Sequence, residues 1–391
     1  MRVEVFAEEL ENLNIHTLVG VPDSALRQFC DYVNGEGGKK FKHYVPANEG
    51  AAVGIAIGSY LATGKPACVY MQNSGLGNAV NPLTSLANEE VYGIPMLFVI
   101  GWRGAPGEKD EPQHKFMGKV TESLVDILGM EYSVIDSETS EKEMRNIFEH
   151  MRDVFKRNKQ YAVLVKKNSF EIEDKGKYEN GYALLRENAI EAVIKKLRPE
   201  DVVVSTTGKI SREVYEQSDR IWGHHRQCFL TVGGMGHAGM IALGLAGELP
   251  DKRIYCIEGD GAVFMHMGEL AFLAKKNPPN MIHICLNNDA HESVGGMPTG
   301  VSGMDFYKIA EACGYSYTAC AESEEELERE LAYVTGREGI SFIEVKVRMD
   351  SREDLGRPKE SARENRNSFM NYLFEKAEEN GGTGYGRSKN K

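Results

Sequence analysis

Short runs of β-branched and apolar residues alternate with amphipathic stretches along the chain, the order expected of parallel βαβ units. In the first half the runs are IHTLVGV (15–21), FKHYV (41–45), ACVYM (67–71), PMLFVI (95–100) and YAVLVK (161–166). The polar stretch NSFEIEDKGKYENG (168–181) interrupts this pattern and reads as a linker. A helix near 183–197 opens a second series, DVVVST (201–206), CFLTV (228–232), RIYCIE (253–258), MIHICL (281–286) and SFIEVKV (341–347). From about residue 350 the chain is highly charged, with one amphipathic helix around Phe369, Tyr372, Leu373 and Phe374. The expected organisation is a first domain over 1–167, a linker over 168–181, a second domain over 182–350 and a charged C-terminal tail over 351–391.

The two halves share a plan. VYMQNSGLGNAVNPLTSLA (69–87) and YCIEGDGAVFMHMGELAFLA (255–274) each run from an apolar strand through a Gly turn into a helix ending in Leu-Ala. Each is followed by another apolar strand, so the chain is expected to be α/β, with two similar doubly wound parallel-sheet domains. Ligands of such sheets collect at the carboxyl ends of the strands. The Gly turns there are therefore the candidate chemistry.

Composition narrows the classes without choosing among them. With 391 residues, 41% of them hydrophobic, there is room for two cores. No stretch is long enough to span a bilayer. The opening MRVEVFAEELENLN lacks a basic region followed by an apolar one, so no secretory signal is expected. Seven cysteines form no CxxC pair, which fits a reducing cytoplasm better than a zinc or disulfide framework. A net charge of −12 argues against nucleic acid as a partner.

Two motifs follow consecutive strands of the second half. Gly259-Asp260-Gly261 comes after RIYCIE, and Asn287-Asn288-Asp289 after MIHICL. One helix and one strand separate them, so Asp260 and Asn288 emerge at the same edge of one sheet. Mg²⁺ takes hard oxygen ligands in an octahedron, and a carboxylate, an amide oxygen, a backbone carbonyl and diphosphate oxygens would serve. The glycines admit phosphates close to the backbone, and the helix beginning near Ala262 offers free N–H groups. A plain Gly-Asp-Gly turn and a polar Asn pair are the alternative. Gly234-Met235-Gly236-His237-Ala238-Gly239 matches G-x-G-x-x-G, and Glu258 ends the next strand, so a dinucleotide-binding oxidoreductase is a rival reading. That rival leaves Gly259-Asp260-Gly261 and the Asn pair unexplained, and it places the motif in mid-chain. Glu49, in PANEGAAVGIAIG (46–58), could simply complement a helix dipole.

In these elements the chain resembles the thiamine-diphosphate enzymes, whose signature is GDG followed by NN. The resemblance implies that Asp260, Asn288 and the carbonyl of Ala290 hold Mg²⁺. It implies that Glu49, in its Glu-Gly-Ala context, hydrogen-bonds the aminopyrimidine ring of the cofactor. Met235 would wedge between the two cofactor rings, and the Gly233 carbonyl would accept from the amino group. Thr207 and Gly208, with Gly261 and Ala262, would lie along the diphosphate.

Further stretches narrow the family. GVPDSALRQFC (20–30), YMQNSGLGNAVNPLTSLA (70–87), GWRGAPGEKDEPQHKFMG (101–118), TTGKISRE (206–213), NNDAHESVGGMPT (287–299) and SREDLGRP (351–358) are similar to the phosphonopyruvate decarboxylase family. Sulfopyruvate decarboxylases share the short plan without a middle domain. The resemblance implies decarboxylation of phosphonopyruvate to phosphonoacetaldehyde in phosphonate biosynthesis. It also implies a homo-oligomer with active sites at the subunit interface. A catalytically inactive cofactor-binding protein is a further alternative. A small, doubly anionic 2-oxo acid calls for cations and rigid donors. Arg103, His114 and Lys115 follow one strand, and His291 follows the metal loop; such side chains can also be merely solvated. His114 and His291 are the candidate proton donors. Asp23 and Ser24 are candidate substrate contacts or a helix cap.

Overall fold

The structure, a computed structural model, describes residues 1–173 and 176–379. It divides into two units, one of Met1–Glu179 with His291–Ser302, the other of Asn180–Ala290 with the chain from Gly303 onward. The first contains β1 (Thr17–Gly20), β2 (Lys42–Tyr44), β3 (Ala67–Gln72), β4 (Met96–Gly101), β5 (Glu131–Ile135) and β6 (Tyr161–Val165). The second contains β7 (Val202–Ser205), β8 (Cys228–Leu230), β9 (Ile254–Gly259) and β10 (Met281–Asn287). Two short extended pieces follow, β11 (Ala290–His291) and β12 (Met297–Pro298), and then β13 (Tyr317–Ala321) and β14 (Ser341–Lys346).

The six-stranded sheets have the orders β2-β1-β3-β4-β6-β5 and β13-β14-β10-β9-β7-β8. Every neighbouring pair runs parallel. With β7, β8, β9, β10, β13 and β14 counted as strands 1 to 6, the second order read backwards is 2-1-3-4-6-5, the same as the first. The similarity of the two halves in sequence is thus a repeat of topology. In each sheet the direction of winding reverses between strands 1 and 3, and the crevice that opens there is where such folds take their ligands.

The continuous apolar runs have a direct cause. In the first unit Leu18, Cys68, Tyr70, Leu97, Val99 and Val163 enter one core with the helices Val3–Asn12, Arg27–Asn34 and Glu141–Lys156. Their neighbours Val19, Val69, Met71, Phe98, Ile100 and Leu164 enter a second core with the helix Glu49–Thr63 on the opposite face. A strand alternates its side chains, so burial on both faces leaves no polar position. In the second unit Tyr255, Ile257, Ile282, Ile284, Ile343 and Val345 build one apolar core. On other strand positions a buried polar group gathers, with Glu258 and His283 paired at 3.1 Å and Glu344 accepting from Asn287 Nδ2 at 2.7 Å.

Two strands of the six-stranded sheets were not expected, β5 and β13, and both lie at a sheet edge. Each has only its last residue fully buried, which tolerates the mixed sequences EYSVI and YTACA. Residues 168–173 and 176–179, expected as the body of a linker, belong to the first unit. Phe170 is 2% exposed and meets Phe6 edge-on at 5.2 Å. The expected charged tail contributes the helix Ala362–Glu379, and Asn365 satisfies the free edge of β8 by accepting from Leu230 N–H and donating to the Cys228 carbonyl, both at 3.1 Å. Among the described residues no helix is long and apolar enough to cross a membrane.

Candidate active site

In the first unit the candidate residues gather at the carboxyl ends of β1 to β4. Asn48 caps the helix Glu49–Thr63 by accepting from Ala51 N–H at 3.0 Å. That cap puts Glu49 in the first turn, where it is 5% exposed and its Oε2 accepts from Asn78 Nδ2 at 2.7 Å. Gly75, after β3, leaves the space the carboxylate occupies, and any Cβ there would collide with Glu49. A residue that only complemented a helix dipole would need neither the amide clamp nor the glycine.

Arg103, at the end of β4, is not a free cation. Its Nε donates to Asp110 Oδ2 at 2.7 Å and its Nη2 to Asp110 Oδ1 at 2.5 Å, while Nη1 donates to Ser24 Oγ at 2.6 Å. Asp110 also accepts from Gly104 N–H at 2.9 Å and Glu111 N–H at 2.8 Å. Burial works against its charge, yet the Arg103 hydrogen bonds and those two N–H groups hold its carboxyl well below the usual range. Asn73 locks the loop by donating to the Arg103 carbonyl and to Thr121 Oγ1, both at 2.9 Å. His114 and Lys115 stand in the first turn of the helix Pro112–Ile127 rather than in the loop. Burial, and then the charge of Arg103, lowers the His114 pKa. Burial pushes His291 down to about 4.

Asp23 performs the capping role, with Oδ2 accepting from Ala25 N–H at 3.0 Å. Its Oδ1 is buried with no hydrogen-bond partner, and burial raises the carboxyl from 3.8 to about 7 against the pull of Arg103. Between those two values the folded protein keeps a proton that the unfolded chain has released. Stability therefore falls as pH rises through the window, by at most about 4 kcal/mol. Asp23→Asn keeps an oxygen for the cap and is expected to be more stable than the parent at pH 8 but not at pH 4. Thermal melts at both pH values test this, and parallel profiles for the two proteins would refute it.

In the second unit four turns meet at the same edge. Ser211 Oγ joins the β7 and β8 ends by donating to the Thr206 carbonyl at 2.7 Å and the Thr231 carbonyl at 3.1 Å. Gly208 has φ +100° and open space around it, immediately before the helix Lys209–Trp222. Met235 is held between Gly234 (φ +67°) and Gly236 (φ +84°). A Cβ on Gly236 would stand 3.0 Å from the Ala262 carbonyl, so this loop lies against the Gly259-Asp260-Gly261 turn. The G-x-G-x-x-G motif thus follows the edge strand β8, whereas a dinucleotide fold carries it at the central switch strand.

Leu286 lies opposite Gly259, so Asp260 and Asn288 both emerge at the same sheet edge, just beyond the ends of β9 and β10. Both are nearly buried, at 3% and 6% exposure. Asn288 Oδ1 accepts from Ala290 N–H at 3.1 Å, a turn that brings the Ala290 backbone back to the same residue. Asp289 takes a left-handed φ of +56° to allow it. A carboxylate, an amide and a carbonyl, all oxygen, suit a hard dication such as Mg²⁺ and not a soft one. The open glycine turns on either side suit a diphosphate. Asn78, Gly75 and Asp110 received no role from the sequence. All three lie inside stretches quoted for the family resemblance, 70–87 and 101–118, so a signal was present for them.

Comparison with known proteins agrees with this architecture. Residues 2–127 match the model "Thiamine pyrophosphate enzyme, N-terminal TPP binding domain", and residues 217–345 match its C-terminal TPP binding domain counterpart. The chain belongs to the thiamine pyrophosphate enzymes. Within them it is 34% identical over 383 residues to the phosphonopyruvate decarboxylase of Streptomyces hygroscopicus, covering 94% of this chain and 92% of that protein. It is 35% identical over 369 residues to the phosphonopyruvate decarboxylase of Streptomyces viridochromogenes, covering 90% and 89%. The sulfopyruvate decarboxylase of Methanosarcina acetivorans is 28% identical over 317 residues, covering 75% and 78%.

Proposed function

We propose that the chain decarboxylates phosphonopyruvate to phosphonoacetaldehyde and CO₂ with thiamine diphosphate and Mg²⁺. The observation that carries this reading is similarity to two phosphonopyruvate decarboxylases along 90% or more of the chain, spanning both site-bearing edges. Sulfopyruvate decarboxylase, matched at lower identity over less of the chain, is the second reading. When bound, thiamine diphosphate supplies a nucleophilic carbon and an electron sink for the pair left by CO₂.

The chain's part is binding, orientation and proton placement. Asp260, Asn288 and the Ala290 carbonyl hold Mg²⁺, and the Thr207-Gly208 and Gly261-Ala262 turns approach the diphosphate. Met235 and the Gly233 carbonyl orient the rings, and Glu49 hydrogen-bonds the pyrimidine. Arg103, Ser24 and Lys115 face the acidic groups of the substrate. His114 and His291 are the proposed proton donors, and Asp23, whose carboxyl burial raises to about 7, joins them.

A homo-oligomer with active sites at the subunit interface is part of the proposal. Leu61 is 71% exposed on the helix Glu49–Thr63, where Gly54 and Gly58 open onto empty space. Such a face invites a close-packed partner. All seven cysteines are free, in keeping with a cytoplasmic setting.

Asp260→Ala and Asn288→Ala are each expected to weaken metal-dependent cofactor binding at least tenfold, because each removes an oxygen from the dication. Calorimetric titration of thiamine diphosphate with and without Mg²⁺ measures it. Parental affinity in both variants would place the metal elsewhere. Release of CO₂ from phosphonopyruvate, faster than from sulfopyruvate, tests the function directly, and the reverse ranking would favour the second reading.

A further inference from the structure

The loop that carries Asn288 is held from behind by a residue that the sequence places at the end of a polar linker. Asn180 Nδ2 donates to the Asn288 carbonyl at 2.9 Å and to the Val347 carbonyl at 3.0 Å. Its Oδ1 accepts from Met349 N–H at 3.1 Å. One side chain therefore ties the backbone of the loop to the strand end beside it, using both amide protons and its oxygen.

The surrounding bonds all point into the same turn. Asn287 Nδ2 donates to Glu344 Oε1, and Asn287 Oδ1 accepts from Asp289 N–H at 2.9 Å. The Asn287 carbonyl accepts from Val347 N–H at 2.9 Å. Asp289 accepts from Tyr182 OH at 2.7 Å and from Gly303 N–H at 2.9 Å. Asn287 and Glu344 are fully buried. β10 ends at Asn287, so the sheet ladder does not hold Asn288. The bond from Asn180 reaches the Asn288 carbonyl, on the backbone of the residue whose amide is proposed as a metal ligand.

We propose that Asn180 is a positioning residue for the metal loop, setting Mg²⁺ affinity by fixing the backbone of Asn288 before the ion arrives. This rests on the reading of Asp260, Asn288 and Ala290 as metal ligands. The physical basis is preorganisation. A ligand on a loop that must be ordered by the ion spends part of the binding free energy on ordering, and groups behind metal ligands typically change affinity by about 10- to 100-fold.

The test uses the full-length protein with Mg²⁺ titrated calorimetrically in the presence of thiamine diphosphate, on Asn180→Ala and Asn180→Asp. The aspartate keeps the size and the acceptor for Met349 but has no proton for the two carbonyls. Both variants are expected to raise the Mg²⁺ Kd by about 10- to 100-fold. The rise in Tm on adding Mg²⁺ and cofactor should shrink accordingly, while substrate KM at saturating Mg²⁺ stays at the parental value. A merely structural asparagine would lower Tm equally with and without metal and leave the Kd unchanged, which would overturn the proposal. Asn288→Ala is run alongside. If it weakens Mg²⁺ binding and neither Asn180 variant does, the clamp alone fails. If it also binds Mg²⁺ with parental affinity, the ligand reading fails and the clamp with it.

Discussion

Glu49→Gln is expected to lower turnover by about 10²–10⁴-fold while the protein folds and binds cofactor nearly as before. The two side chains have the same shape, so the pocket left by Gly75 and the N-cap at Asn48 are undisturbed. The chemistry at the carboxylate changes completely. Asn78 donates to Oε2, so a glutamine must turn its oxygen toward Asn78 and its NH₂ group the other way. An acceptor facing the cofactor pyrimidine becomes a donor, unable to hold a proton there. Proton exchange at the reactive carbon of the bound cofactor precedes any substrate step and should slow in parallel. NMR exchange rates and a thermal melt together decide the matter. Exchange at the parental rate in a well-folded variant would return Glu49 to the role of a helix-dipole residue.

Phosphonopyruvate should be preferred over pyruvate by more than a thousandfold in kcat/KM. A charge-assisted hydrogen bond contributes roughly 1.5–3 kcal/mol, and a site with two or three of them loses all of them with a methyl ketone. Arg103 is the cation proposed for one of these contacts. Two donors of the Arg103 fork are fixed on Asp110 and a third on Ser24, so the guanidinium plane is set without the substrate. Arg103→Lys keeps the charge but cannot reproduce that bidentate geometry, and should erode the preference at least tenfold with little change in cofactor affinity. Arg103→Ala strands Asp110, which is only 13% exposed, so Arg103→Ala/Asp110→Ala is the safer deletion. Steady-state kinetics with pyruvate, sulfopyruvate and phosphonopyruvate supply the comparison. A preference for phosphonopyruvate that survives both changes would remove Arg103 from substrate recognition.

The candidate site was legible wherever its chemistry depends on residue type at the end of a strand. Asp260 and Asn288 each follow an apolar run that forms a buried central strand, so the edge they share followed from the pattern, whereas Glu49 follows the short, exposed edge strand β2. The supporting residues were less legible because their roles arise from contacts between distant segments. Asp110 looks like one acid in a charged loop until that loop folds back and places it on Arg103. Asn180 looks like linker polarity until Asn288 and Val347 arrive on either side of it.

By itself the sequence determined the class of fold, the repeat of one architecture in two halves and the positions of the central strands. Burial on both sheet faces strongly favours apolar residues, and that constraint is written directly into the chain. The edge strands β5 and β13 escaped because an edge position, buried on fewer sides, constrains composition weakly. The tertiary structure alone decided that residues 291–302, which follow the metal loop in the chain, belong to the first unit, where Met297 is buried in its core. It also decided that Arg103 is paired with Asp110 and that burial raises the Asp23 carboxyl far above its ordinary value. These outcomes depend on desolvation and on which group comes within hydrogen-bonding distance, and a single side chain's identity carries neither.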